Sequence, residues 1–222
     1  MIKYSDRLLY YTGRKLVRLY TEMMLKLDIV RKAPMPKGAK VLAVNHPTTS
    51  DPFVVTTICR EHSIILVKDV LFKIPLFGRY LRWAGHIPVV EGEGKKALER
   101  AKKYLHRGKT VIMFMEGDIS PPGGEISKPK TGAVRLALTC NVPIVPVGVG
   151  VRKANIKLMY SKIGGIAELG TWYFWGPYAM TVGKPVRMSG DAEDHRKVRE
   201  LSRKIMQKVI ALSHESERRI SA

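Results

Sequence analysis

The sequence predicts an α/β fold: a single domain on a mixed, largely parallel sheet covered by helices on both faces, preceded by an N-terminal amphipathic helix. Three observations predict it. Short runs rich in branched residues recur between segments of helical periodicity. Those runs are apolar throughout instead of alternating, as strands buried on both faces are. With 222 residues and 45% apolar composition, the chain can build one substantial core.

The elements follow in order. Residues 3 to 28 read as a helix whose charges are sorted by angle. At 100° per residue Lys3, Arg7, Arg14 and Arg18 share a narrow sector, and Leu9, Leu16, Tyr20, Met23 and Leu27 lie nearly opposite. Such a helix suits the headgroup boundary of an anionic bilayer; equally, its apolar stripe can pack on the domain. Pro34 and Pro36 end it as a linker, which divides the chain into a helix and linker over 1–36 and the main domain over 37–222. Strands are then expected at 39–45, 63–68, 86–90, 110–114 and 142–151, and helices at 52–60, 74–84, 93–105 and 133–140. His106, Arg107 and Gly108 close the 93–105 helix, cations at its carbonyl end and glycine as cap. Residues 171–175 and 178–183 read as a strand pair around Gly176 and Pro177, and 191–213 as a final helix.

Charge and cysteine usage narrow the function. The formal net charge of +20 exceeds what solubility requires and calls for an anionic partner: a phospholipid surface, a nucleic acid, or an acidic acyl carrier. A nucleic-acid binder fits poorly, because the basic residues are dispersed. The aromatic run Trp172 to Trp175 is also contiguous, so half of it would face inward. Cys59 and Cys140 lack the paired spacing of a zinc or redox site and read as reduced core thiols. No run of 18 apolar residues occurs, and basic residues interrupt the first twenty positions. That disfavours a membrane span and a cleaved leader, leaving membrane association at the cytoplasmic face as the expectation.

The segment Asn45-His46-Pro47-Thr48-Thr49-Ser50-Asp51-Pro52-Phe53 places a histidine where a buried strand ends and an aspartate where a helix begins. Loops at the carboxyl ends of strands are where α/β folds display catalytic groups. Asp51 or Ser50 can cap the helix that Pro52 starts. Alternatively, Asp51 accepts the Nδ1 proton of His46 and leaves Nε2 to take a proton from a hydroxyl.

With that segment as the first of four blocks in order over about residues 40 to 150, the chain resembles the glycerolipid acyltransferase superfamily, of the 1-acylglycerol-3-phosphate acyltransferase kind. The second block is residues 68–92, beginning Lys68-Asp69 and ending His86-Ile87-Pro88-Val89-Val90-Glu91-Gly92. The third is Phe114-Met115-Glu116-Gly117-Asp118-Ile119-Ser120, and the fourth is Val142-Pro143-Ile144-Val145-Pro146-Val147-Gly148-Val149. Between the third and fourth, Lys130, Gly132 and Arg135 stand at the family's matching places.

The resemblance implies ternary-complex chemistry with no metal, no cofactor and no covalent enzyme intermediate, using acyl-CoA or acyl carrier protein as co-substrate. His46 would deprotonate the hydroxyl of a lysolipid acceptor, Asp51 would hold the imidazole tautomer, and a backbone N–H would stabilise the oxyanion. Glu116, Gly117, Asp118, Glu91 and Lys130 would line the acceptor site. Lys68, Arg79 and Arg82, with Lys3, Arg7, Arg14 and Arg18, would meet the donor or the anionic membrane.

Two departures point one way. Glu91 stands where the family has arginine, and Asp118-Ile119 where it has threonine and arginine. Each lost phosphate contact is worth on the order of a few kcal/mol. The expected acceptor is therefore a lysolipid with a neutral or zwitterionic head, with lysophosphatidic acid as the alternative and Lys128, Lys130, Arg135, Arg79 and Arg82 as replacement cations. A catalytically inactive lipid-binding relative is the reading that intact His46 and Asp51 oppose.

Overall fold

A computed structural model describes residues 4–120, 128–163 and 166–221; the side chains described exclude those of 4–11, 14, 161–163 and 166–168. In chain order the elements are α1 (Tyr4–Met24), β1 (Asp28–Arg31), β2 (Lys40–Val44), α2 (Asp51–Val55, prolonged by a 3₁₀ turn over Thr56–Ile58), β3 (Ser63–Lys68), α3 (Phe77–Trp83), β4 (Ile87–Val89), α4 (Gly94–His106), β5 (Thr110–Phe114), α5 (Gly132–Thr139), β6 (Ile144–Val151), β7 (Lys157–Ile163), β8 (Ile166–Trp172), β9 (Tyr178–Val182) and α6 (His195–Ser221). Seven strands form one sheet in the order β1-β9-β6-β2-β5-β3-β4, and β7 pairs with β8 separately. In the large sheet β6 and β9 run antiparallel, and the other neighbouring strands named here are parallel.

Strand β2 lies at the centre with every residue buried. Its alternate side chains serve two cores, as the strand's period of two requires. Val41 and Ala43 join Ala97, Leu105, Val134 and Val209 on the face covered by α4, α5 and α6. Leu42 and Val44 join Leu25, Val54, Ile58 and Tyr178 on the other. Helix α6 sits directly on β6: a Cβ at Gly148 would lie 2.1 Å from the backbone carbon of Leu212, so only glycine admits this approach. The Ser216 hydroxyl donates to the Gly148 carbonyl across that contact, at 2.9 Å.

Three expectations are corrected. The first helix ends at Met24, and Lys26 turns the chain with φ 41°. Residues 28–31, expected as helix and linker, are an edge strand parallel to β9, so the segment before Lys37 belongs partly to the sheet. The expected pairing of 171–175 with 178–183 does not form; β9 pairs with β6 and β1, and the end of β8 pairs with β7. Local alternation resembled a hairpin, but the central strands offered β9 a more buried edge.

His86 and His62 sit under the β3–β4 edge. The Ile65 N–H donates to His86 Nδ1 at 3.3 Å, and His62 Nε2 donates to the Ala84 carbonyl at 2.8 Å. Burial, with the neighbouring His62, pushes His86 down from 6.5 to about 3. Its folded value is depressed, so the unfolded chain takes up the proton first, and stability falls as pH drops below about 6.5. The loss from this group reaches about 3 kcal/mol at pH 4. Urea midpoints measured from pH 7 to pH 4 should fall steeply for the wild type and less steeply for His86→Leu.

Candidate active site

The strand ends build the site. Val44 and Phe114 are partners in register, so the loops leaving β2 and β5 emerge side by side at the sheet's carboxyl edge. His46 follows β2 and stacks on Phe114, ring centroids 4.0 Å apart and 21° from parallel. Its Nδ1 lies 3.0 Å from Asp51 Oδ2, which turns Nε2 toward the cleft.

Asp51 is fully buried and well held. Its carboxylate also accepts from the Thr48 N–H at 2.7 Å, the Thr48 hydroxyl at 2.7 Å and the Tyr178 hydroxyl at 2.8 Å. These donors satisfy a buried anion that would otherwise be costly, and they fix which oxygen faces the imidazole. Burial and the adjacent Asp51 push the Tyr178 phenol well above its ordinary value, so it remains a donor. Ser50 makes no side-chain cap; its hydroxyl accepts from the Tyr173 N–H at 3.0 Å.

A second carboxylate fixes the loop's backbone. Glu116 accepts from the His46 N–H at 3.1 Å and from the Ser120 hydroxyl at 2.7 Å, while the Ser120 N–H donates to the His46 carbonyl at 2.8 Å. Glu116 was expected at the acceptor site. It is 3% exposed, clamps the two loops together and is not among the residues lining the cleft.

The cleft has a volume of about 510 Å³. Its outer wall carries Glu91, Asp118, Lys68 and Lys130 beside His46, and its inner wall is apolar, with Ala97, Leu98, Met113 and Ala133. Gly117, at φ +74°, lets the Lys130 stem pass: a Cβ there would meet Lys130 Cγ at 2.9 Å. Gly132 keeps the inner end open, since a Cβ there would lie 2.9 Å from Met113 Cε. Asp118 pairs with Lys68 at 3.2 Å near the surface.

With this geometry in view, a family model described as Acyltransferase matches residues 26–150. The chain belongs to the acyltransferase family. It is 28% identical over 125 residues to the 1-acyl-sn-glycerol-3-phosphate acyltransferase of Escherichia coli (strain K12), covering 54% of this chain and 51% of that protein. The chain thus matches about half the length of that curated relative. The crystal structure of the 1-acyl-sn-glycerophosphate (LPA) acyltransferase PlsC from Thermotoga maritima shares its fold, with a TM-score of 0.62 at 21% identity over 94% of this chain and 84% of that one.

Other expected residues of this acyltransferase lie elsewhere. Arg79 packs over Trp83 at 4.3 Å, Arg82 donates to the Phe72 carbonyl at 2.8 Å, and Arg135 donates to the Ala192 carbonyl; none of the three lines the cleft. Lys128 is exposed and also off the cleft wall. Arg18 pairs with Glu22 at 2.8 Å on α1. Lys3 lies outside the described residues, as do the side chains of Arg7 and Arg14. Sequence reasoning missed Thr48, Ser120, Tyr178 and the stacking Phe114, and it assigned no role to Trp172, which lines the cleft. Thr48 and Ser120 lie inside the quoted motifs and were within reach; Tyr178 is 127 residues from Asp51 and carried no local signal.

Proposed function

We propose that the chain transfers a fatty acyl group from acyl-CoA or acyl carrier protein to the hydroxyl of a lysolipid at an anionic membrane surface. The observation that carries this reading is His46 held by buried Asp51 at the mouth of a cleft with an apolar interior. His46 Nε2 takes the hydroxyl proton as the oxygen attacks the thioester carbonyl. Collapse of the tetrahedral intermediate breaks the C–S bond, and the imidazolium returns its proton to the leaving thiolate.

Attachment to a membrane is supported by α1. Leu16, Leu19 and Met23 are exposed on one side of it, while Gly13 packs against the Tyr80 ring and Thr21 is buried. The apolar stripe is therefore divided: these three side chains are exposed, while Tyr20 reaches the Phe174 carbonyl and Leu27 packs against the core. No helix among the described residues is long and apolar enough to cross a membrane.

For the acceptor, two carboxylates and two lysines give the cleft's outer wall no net formal charge. A phosphate monoester gains little there, which supports a neutral or zwitterionic head. The name of the Escherichia coli relative favours lysophosphatidic acid as the second reading. A panel of lysolipids on anionic vesicles with labelled acyl thioester separates them. Zwitterionic acceptors should turn over fastest, and Glu91→Arg with Ile119→Arg should raise relative use of lysophosphatidic acid by about 10-fold or more. Fastest wild-type turnover of lysophosphatidic acid would reject the neutral-head reading.

A further inference from the structure

A second apolar space adjoins the cleft. It has a volume of about 350 Å³ and lies between α1 and the segment after His46, walled by Val17, Tyr20, Phe53, Val54, Trp172 and Phe174. Trp172 lines both spaces. Its indole stacks on Phe174, centroids 5.7 Å apart and 3° from parallel. It also folds back over Gly170, where a Cβ would fall 2.5 Å from Nε1.

The partition is firmly built. The Thr49 N–H donates to the Thr171 carbonyl at 2.7 Å, and the Thr171 N–H donates to the Thr49 hydroxyl at 3.0 Å. On the other side Tyr20 donates to the Phe174 carbonyl, and the Gly176 N–H donates to the Met24 carbonyl at 3.0 Å, tying α1 to the aromatic strip.

We propose that this groove holds the hydrocarbon chain of the acceptor, whose hydroxyl reaches His46 past the Trp172 indole. The proposal rests on acyl transfer at His46. Two aliphatic chains must approach one imidazole. The inner cleft is one apolar recess, lined by Ala97, Leu98, Met113 and Ala133. A second chain needs its own apolar path, and the groove lies against the cleft with Trp172 as their shared wall. Its mouth includes Leu16, 64% exposed on the same stripe as Leu19 and Met23. An acceptor drawn from a bilayer along that stripe meets the groove chain-first, whereas the donor arrives as a soluble thioester.

The test uses lysolipid analogues with acyl chains of about four to eight carbons, kept monomeric so that no bilayer contributes. In the wild type, kcat/KM should rise with chain length, by up to about fourfold for each methylene buried. Val17→Trp fills the groove and should cut the ratio between the longest and shortest acceptors by roughly tenfold or more. An unchanged ratio, or a flattened donor-chain series with the acceptor series kept, overturns the proposal. Wild-type protein also needs no substitution to be tested: a lysolipid with a diazirine at its chain end should label α1 and residues 172–174. Labelling only around Leu98 and Met113, or none on the protein, overturns it as well. Failure of wild type to acylate any acceptor would instead reject transfer at His46.

Discussion

Replacing His46 with alanine is expected to lower kcat by about 10²- to 10⁴-fold, the range for loss of a general base. The hydroxyl of a lysolipid is far too weak an acid to attack a thioester without help, and the imidazole is the group that the geometry aims into the cleft. Stability should change little. Asp51 retains both Thr48 donors and the Tyr178 hydroxyl when the imidazole is removed, so its charge stays solvated by the protein. A thermal melt close to that of wild type, with transfer reduced to background, is the expected pair of results. Wild-type turnover in the variant would remove His46 from the chemistry.

Asp51→Asn is expected to combine a similar fall in kcat with a loss of stability of about 2–3 kcal/mol. Asparagine presents an NH₂ group where the carboxylate accepts hydrogen bonds. Facing His46, that group favours the tautomer with the proton on Nε2, which cannot then accept one from substrate. Facing Thr48 and Tyr178, it sets donor against donor in a site with no exposure. The neighbouring change Tyr178→Phe removes one donor and keeps the carboxylate, so its loss should be smaller, about 1–2 kcal/mol. Urea denaturation of both variants beside steady-state kinetics separates the structural effect from the catalytic one. Equal activity in Asp51→Asn and wild type would show that the tautomer is set by something else.

Much of this arrangement was legible in the sequence because it is local. The short spacing from His46 to Asp51 spans one connection between a strand and a helix, with His46 in the loop and Asp51 at the first position of α2. Continuous apolar runs identified the parallel strands because burial on both faces leaves no alternation to confuse them. The failures share a physical cause, dependence on distant partners. Asp28–Arg31 becomes a strand because β9 lies beside it, and the pairing of β9 with β6 is decided by the central sheet. The hydrogen bond of Glu116 with the His46 N–H, 70 positions away, likewise carried no local signal. Trp172 belonged to an aromatic run that local alternation could not orient.

The measurement that addresses the central claim most directly is a single-turnover assay with radiolabelled acyl thioester and a lysolipid on anionic vesicles, run in parallel on wild type and His46→Ala. The account predicts label in the diacyl product for wild type and background for the variant. Equal transfer by both proteins, or label held covalently on the protein before acceptor is added, would contradict it.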